Sequence, residues 1–374
     1  MRKSKALQAN ILSLIISNEI VDNRPIEPLC IKKSIKTEED IMINTQLIKE
    51  YKSKLSVYRT QTAIGELKRI FENKLRKELN LKRVSAPLFV EKGSGLNDDL
   101  SGKETPVEFC ADGKNMQIVH SLAKWKRLAL YEYGFHTGEG IYTDMNAIRK
   151  DEAVDRTHSI YVDQWDWERV ITQKERNLSY LVETVKRIVK CISETHAELK
   201  KEFHELTYTF NNKVAFITAE ELYKLYPGKT ASERERLFVK QNGTAFIIAI
   251  GNNLPNGEPH SMRAPDYDDW QLNGDLIAYD PIADDALELS SMGIRVDSES
   301  LGKQLEIAGK EERSNLYFHK LLLENKLPLT IGGGIGQSRL SMLLLEKAHI
   351  GEVQVSVWND EVIQECKKAG ITLL

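Results

Sequence analysis

Cysteine is scarce in this chain. Its 374 residues hold four, Cys30, Cys110, Cys191 and Cys366, far apart and with no CxxC pair. That spacing supports neither a zinc ribbon nor a disulfide framework. It suits a reducing compartment, so a cytoplasmic location is expected. Long apolar runs are also missing. The longest, near Ile11–Ile16, is far short of the ~20 residues of a membrane helix, so no membrane partner is expected. Positive charge is not in excess, with 52 Lys and Arg against 55 Asp and Glu and a net charge of −3. Such a balance makes no general field for a phosphate backbone, and nucleic acid is not an expected partner. The familiar phosphate and hydrolase signatures are absent as well. There is no GxxxxGK[ST], no GxGxxG after a strand, no HExxH and no GxSxG. A nucleotide site in this protein must be built another way.

The length, at ~150 residues per domain, allows two or three domains. Residues 1–44 begin with Arg2, Lys3 and Lys5 and resemble a targeting segment at first sight. Glu19, Asp22 and Glu27 follow, with no small-residue cleavage site. The expectation is a poorly ordered extension. From residue 45 to 374 nothing resembles a linker, and one domain is expected. Ile64, Leu67, Phe71, Leu75 and Leu79 recur at helical spacing, which predicts an amphipathic helix over about 57–80. A strand-like run, Leu81 to Val90, holds Pro87, which removes a ladder donor and places the strand at an edge or interface. A second long helix is predicted over about 172–205. Thr218-Ala-Glu-Glu221 is a capping box that opens a third helix, closed at Pro227-Gly228. Strands are expected at 158–165, 244–250, 274–280, 286–296 and 352–358. They lack a regular βαβ alternation, so the fold class is α+β with a mainly antiparallel sheet flanked by helices.

Two stretches carry most of the chemistry. Thr330-Ile-Gly-Gly-Gly-Ile-Gly-Gln-Ser-Arg-Leu340 reads as a Gly-rich loop entering an apolar helix. Its glycines let a flat ligand approach the backbone. Arg339 falls in the first helical turn beside free N–H groups, an arrangement that holds phosphate. An exposed Arg after a helix-entry loop is the plainer alternative. The second stretch runs from His158 to Arg169 and alternates like a strand. Asp163, Trp165 and Trp167 share one face; Gln164, Asp166 and Glu168 share the other. Upstream, Arg149 opens a short polar loop.

Leu81–Phe89, then Arg149–Glu168, then Gly332–Arg339 follow the order of the three motifs of class II aminoacyl-tRNA synthetases. Longer strings narrow the match. They include Asn97-Asp-Asp-Leu-Ser-Gly102, Val119-His-Ser-Leu-Ala-Lys-Trp-Lys-Arg127 and Tyr161-Val-Asp-Gln-Trp-Asp-Trp-Glu-Arg169. Arg263-Ala-Pro-Asp-Tyr-Asp-Asp-Trp270, Leu272-Asn-Gly-Asp275 and Glu288-Leu-Ser-Ser-Met-Gly-Ile-Arg295 complete the set. Together they resemble the ammonia-dependent asparagine synthetases, the aspartate–ammonia ligase family, from about Lys54 to Leu374.

That resemblance implies a class II synthetase-like sheet and a specific reaction. Members of the family join L-aspartate to ammonia with ATP through a β-aspartyl-adenylate, releasing AMP and pyrophosphate. By the resemblance, Arg149 would hold the α-phosphate and the aspartate carboxylate, and Arg339 the γ-phosphate end. Glu288 and Asp275 would take Mg²⁺, with the Ser291 hydroxyl nearby; a turn role for Asp275 stays open. Asp268, in an acidic run that would ordinarily be solvated, is assigned to the ATP side of the site. Asp98, Asp166 and Gln164, with Ser121, would receive the substrate ammonium group. Lys126 would hold a carboxylate, whereas Lys124 would be a solvated lysine. His120 would be structural or position the substrate. Asp98 is also the candidate base that takes a proton from ammonium. A homodimer is expected, because the Pro87 strand and its helix resemble the class II dimer interface.

Three rival readings each meet an obstacle in the sequence, and the glutamine-dependent one is rejected. A tRNA synthetase fragment would need a separate tRNA-binding domain. A glutamine-dependent synthetase would need a cysteine amidohydrolase domain. An inactive synthetase-like regulator would have no need of Arg149, Glu288 and Arg339.

Overall fold

A computed structural model of the protein describes residues 51–102 and 104–374. The 1–44 extension lies outside the described residues. From Val57 the chain forms α1 (Val57–Glu78), β1 (Leu81–Arg83), β2 (Phe89–Glu91), β3 (Glu108–Ala111), β4 (Lys114–Ile118), α2 (Ala123–Glu132), β5 (Gly140–Ile148) and β6 (Tyr161–Val170). There follow α3 (Leu178–Leu199), β7 (Val214–Thr218), α4 (Ala219–Leu225), α5 (Ala231–Asn242), β8 (Thr244–Ile248), β9 (Asp268–Asp280) and β10 (Asp285–Arg295). The last elements are α6 (Ser298–Ala308), α7 (Tyr317–Leu323), β11 (Thr330–Gly336), α8 (Gln337–Leu344) and α9 (Asp360–Lys368).

Eight strands make one sheet in the order β1-β5-β6-β11-β10-β9-β8-β7. Its inner pairs are antiparallel, and only the two edge pairs, β1 with β5 and β7 with β8, are parallel. β2, β4 and β3 form a separate three-stranded antiparallel sheet. The strand period of two divides β6 between two environments. Trp165 and Trp167 are fully buried in the main core with Phe71 of α1, Leu181 and Ile188 of α3, and Leu340 of α8. Gln164 and Asp166 point the other way, into the cleft described below. The two long helices therefore cover one face of the sheet and leave the other for chemistry.

Local signals set most boundaries. Ser56 caps α1 by accepting from the Arg59 N–H, and the Thr218–Glu221 capping box opens α4 as expected. The predicted helix over 172–205 is shorter. Thr172 caps a separate 3₁₀ turn through Glu175, and Asn177 then caps α3. The run at 81–90 is two strands, not one. Leu81–Arg83 is an edge of the large sheet and Phe89–Glu91 belongs to the small one, so Pro87 sits in the link between sheets. The strand expected at 352–358 is not formed. Ile350–Glu352 is a 3₁₀ turn, and Val355 and Val357, 71% and 75% exposed, have no neighbouring strand. Alternation alone looked like a strand, but Val353 and Trp358 instead turn inward to close the core.

The Gly-rich stretch is also corrected. It is a central strand, β11, hydrogen-bonded to β6 on one side and β10 on the other. The glycines make room rather than a turn. A Cβ on Gly332 would collide with the Glu168 carboxylate, and one on Gly334 with the Gln164 amide.

Candidate active site

Strand ends and loops enclose a cleft of about 310 Å³. β6 supplies Gln164 and Asp166, β10 supplies Glu288, Ser291 and Arg295, and α8 supplies Arg339 from its first turn. Arg149 enters directly after β5, Arg263 and Asp268 from the segment around β9, and Asp98 and Ser121 from loops beside the small sheet. Residues more than two hundred positions apart, Asp98 and Arg339 among them, thus line one cavity built around the adjacent strands β6, β11 and β10.

Its cations are positioned by backbone and carboxylates. Arg149 donates from Nη2 to the His120 carbonyl at 3.3 Å, while its buried Nε has no partner among the described residues. Arg339 donates to the carbonyls of Thr157 and Glu288 at 3.4 and 3.2 Å, and its Nη1 lies 3.5 Å from Glu288 Oε2. Arg295 is buried against Glu168, with bonds of 3.0 Å to Oε1 and 2.7 Å to Oε2, and also pairs with Asp268. Burial would lower the Arg295 pKa, but the Glu168 and Asp268 carboxylates outweigh it and the net shift is upward. Glu168 is also buried, yet Arg295 holds its carboxyl below the usual range. Arg295 is therefore a fixed cation facing the cleft, and Glu168 is its support.

Asp98 has a different environment. It is buried and accepts hydrogen bonds from the Leu100 N–H at 2.9 Å and the Ser121 hydroxyl at 3.0 Å. Among the described residues it forms no ion pair, and burial pushes its pKa up despite Lys124 nearby. His120 stands behind it, with Nδ1 3.0 Å from the Asp98 carbonyl. Burial lowers the His120 pKa, which keeps the ring neutral as a support.

Two lysine expectations are corrected. Lys126 does not reach the cleft. Its side chain is 1% exposed beneath the floor, with the ammonium paired with Asp166 and donating to the Trp167 carbonyl at 2.9 Å. It fixes Asp166, which does line the cleft. Lys124 is not solvated either; it is buried and 3.0 Å from Asp266. Helical spacing turns the two lysines apart, and both directions lead into protein. The acidic run is likewise buried. Asp266 meets Lys124, Arg313 and His319, Asp268 meets Arg295, and Asp269 meets Arg176.

Asp275 lies one layer behind the cleft surface, paired with Arg263 and opposite Ser291 in the β9–β10 register. Burial raises its pKa, and Glu288 adds to the rise. The Glu288 side chain stays 42% exposed in the cleft, where Arg339 and Arg263 outweigh desolvation and hold its carboxyl down. No group of three His, Cys, Asp or Glu forms a ready-made metal cage among the described residues. Two nearby carboxylates and a hydroxyl, all hard oxygen donors, do fit a Mg²⁺ whose remaining ligands come from substrate phosphates.

The aspartate-ammonia ligase family profile matches residues 58–370. The chain belongs to that family. The aspartate–ammonia ligase of Clostridium perfringens strain SM101 is 57% identical over 331 residues, covering 87% of this chain and 98% of its own. Those of Clostridium tetani and Lactobacillus johnsonii are 55% and 53% identical, covering 87% and 88% of this chain and 96% and 99% of their own. Among solved structures, the asparaginyl-tRNA synthetase of Pyrococcus horikoshii complexed with asparaginyl-adenylate superposes with a TM-score of 0.58. The match has 16% identity and covers 79% of this chain and 68% of that one. The asparaginyl-tRNA synthetase of Entamoeba histolytica gives 0.58 and 14% over 87% and 71%. These likenesses establish the class II synthetase fold. The chain is an enzyme, a ligase of asparagine biosynthesis.

In this ligase the cleft gathers Asp98, Ser121, Arg149, Gln164, Asp166, Asp268, Glu288, Ser291 and Arg339, while Lys126 and Asp275 sit behind it. Two participants, Arg263 and Arg295, were given no role from sequence, and Glu168 was placed on the polar face of its strand without its partner. Arg295 and Arg263 face the cleft, and Glu168 fixes Arg295 from below. The signal for Arg295 was available in principle, since it ends a strand beginning at Glu288 and shares a face with a carboxylate two strands away. Only the strand order reveals that partner.

Proposed function

We propose that the enzyme converts L-aspartate, ammonia and ATP to L-asparagine through a β-aspartyl-adenylate, releasing AMP and pyrophosphate. The observation that carries this reading is the convergence of Arg149, Arg263, Arg295 and Arg339 on one cleft beside Asp98, a buried carboxylate whose hydrogen-bond donors among the described residues are the Leu100 N–H and the Ser121 hydroxyl. Joining a carboxylate to a phosphate brings two anions together, and fixed guanidinium groups offset that repulsion in the transition state. Arg149 is suited to the α-phosphate and the reacting carboxylate, and Arg339, at a helix N-terminus, to the far phosphates. Asp268 and Asp275 hold Arg295 and Arg263 in place on the nucleotide side. Asp166, oriented by Lys126, receives the substrate α-ammonium with Gln164 and Ser121.

Glu288 and Asp275, with Ser291, would hold Mg²⁺, which when bound neutralises phosphate charge. In the second half-reaction Asp98 receives ammonium and takes its proton. The catalytic unit spans residues 45–374, works in the cytoplasm and assembles as a homodimer.

The test is product analysis with aspartate, ATP and ammonium. AMP and pyrophosphate should appear, asparagine should require ammonium, and aspartate alone should support ATP–pyrophosphate exchange. ADP and phosphate as products would overturn the adenylate route.

A further inference from the structure

A second cavity of about 180 Å³ lies next to Asp98. Asp98 lines both cavities. The second is a little over half the volume of the cleft. Its wall is polar, with Asn97, Gln117, Asp99, Asp266, Lys124 and Arg313.

The charges in that wall are not equally committed. Asp99 is paired with Arg313 and Lys310. Asp266 takes Lys124, Arg313 and His319 on Oδ2, while its buried Oδ1 has no hydrogen-bond partner among the described residues. Among the described residues, Asp98 accepts from neutral donors only. The lining cations are therefore engaged by acids, while Asp266 Oδ1 has no hydrogen-bond partner among the described residues and Asp98 lines both cavities.

We infer that this second cavity is the entrance for ammonium, separate from the mouth that admits aspartate and ATP, and that it delivers the ion to Asp98. The inference rests on the adenylate reading above. Once the adenylate fills the main cleft, the nucleophile needs another approach. The Asn97 amide oxygen already accepts the Asp98 and His120 N–H groups, but the Gln117 amide oxygen, with one contact at 3.5 Å from Asn97 Nδ2, can accept from a small cation as it loses water. At Asp98 the ammonium gives one proton to the carboxylate. The ammonia lone pair then forms the C–N bond to the adenylate carbonyl carbon. The C–O bond to AMP breaks, and its electron pair leaves with the phosphate. The second nitrogen proton passes to that phosphate or to water, giving the neutral amide.

Gln117 tests the inference, because it lies on the partly exposed β4 and outside the cleft. Gln117→Lys should raise the KM for ammonium at least about tenfold by like-charge repulsion, with ATP and aspartate KM and aspartate-dependent pyrophosphate exchange unchanged. Gln117→Glu should lower or preserve the ammonium KM. An unchanged ammonium KM in Gln117→Lys would overturn the inference, as would a loss shared equally by the exchange reaction. Wild-type protein lacking aspartate-dependent exchange would instead overturn the adenylate reading.

Discussion

Asp98 and Lys126 were both expected at the substrate, and their surroundings separate them. Asp98 is a buried carboxylate facing open space, whereas Lys126 is a buried ammonium already bound by Asp166 and a backbone carbonyl. A buried charge with its partner in place is a support. A buried carboxylate with no ion pair among the described residues, its pKa raised by desolvation, is poised to take a proton. Asp98→Asn keeps the size and the Leu100 and Ser121 contacts but loses the proton acceptor. It should retain aspartate-dependent ATP–pyrophosphate exchange while asparagine formation falls by about 10²–10⁴. If both reactions fall together, Asp98 binds aspartate instead. The type of each of these residues was legible in the sequence. Whether a lysine faced substrate or another carboxylate was not, since that depends on Asp166 and Asp266, 40 and 142 positions away from their partners.

Among the elements, α3 and the 3₁₀ turn at Ile350–Glu352 each carry a buried histidine that acts as an acceptor. His196 Nδ1 accepts the Phe210 N–H at 3.3 Å, and His349 Nδ1 accepts the Gly351 N–H at 3.0 Å. Both bonds need an unprotonated nitrogen, and burial pushes both pKa values down to about 4. The unfolded chain, with ordinary histidines near 6.5, binds protons first as the pH falls. Stability from these two sites is thus fully present above about pH 6.5 and is lost as the pH falls to about 4. His196→Gln, which retains an acceptor without a titrating group, should flatten the denaturation free energy over that window by an amount on the order of a few kcal/mol. A slope equal to wild type would show that His196 is not responsible. β11 makes a different point at this scale. Its glycines were visible, but their role follows from the side chains of β6 that cross above them.

For the whole molecule, the class II likeness and the Pro87 link bear on assembly. Leu88 and Phe89 are 49% and 44% exposed where the two sheets join, and Phe89 stacks edge-on with Phe109 at 5.2 Å. Light scattering of the purified protein should give the mass of two chains. Leu88→Asp combined with Phe89→Asp should shift it toward one, and an unchanged dimer would place the interface elsewhere. The catalytic unit gives a second expectation at this scale. Protein lacking residues 1–44 should keep asparagine synthesis, and its loss would assign the extension a part in folding or catalysis.

Periodicity and capping by themselves determined the long helices, the capped α4 start and most strands, because those signals act within a few residues. The motif strings determined the family. Tertiary structure alone decided which strand neighbours which, and from that came the Arg295–Glu168–Asp268 network, the burial of both lysines and the absence of a strand at 352–358. The physical reason is the same in each case. A charge or an extended segment takes its role from a partner distant in sequence, and the chain reveals that partner only once the sheet order has formed.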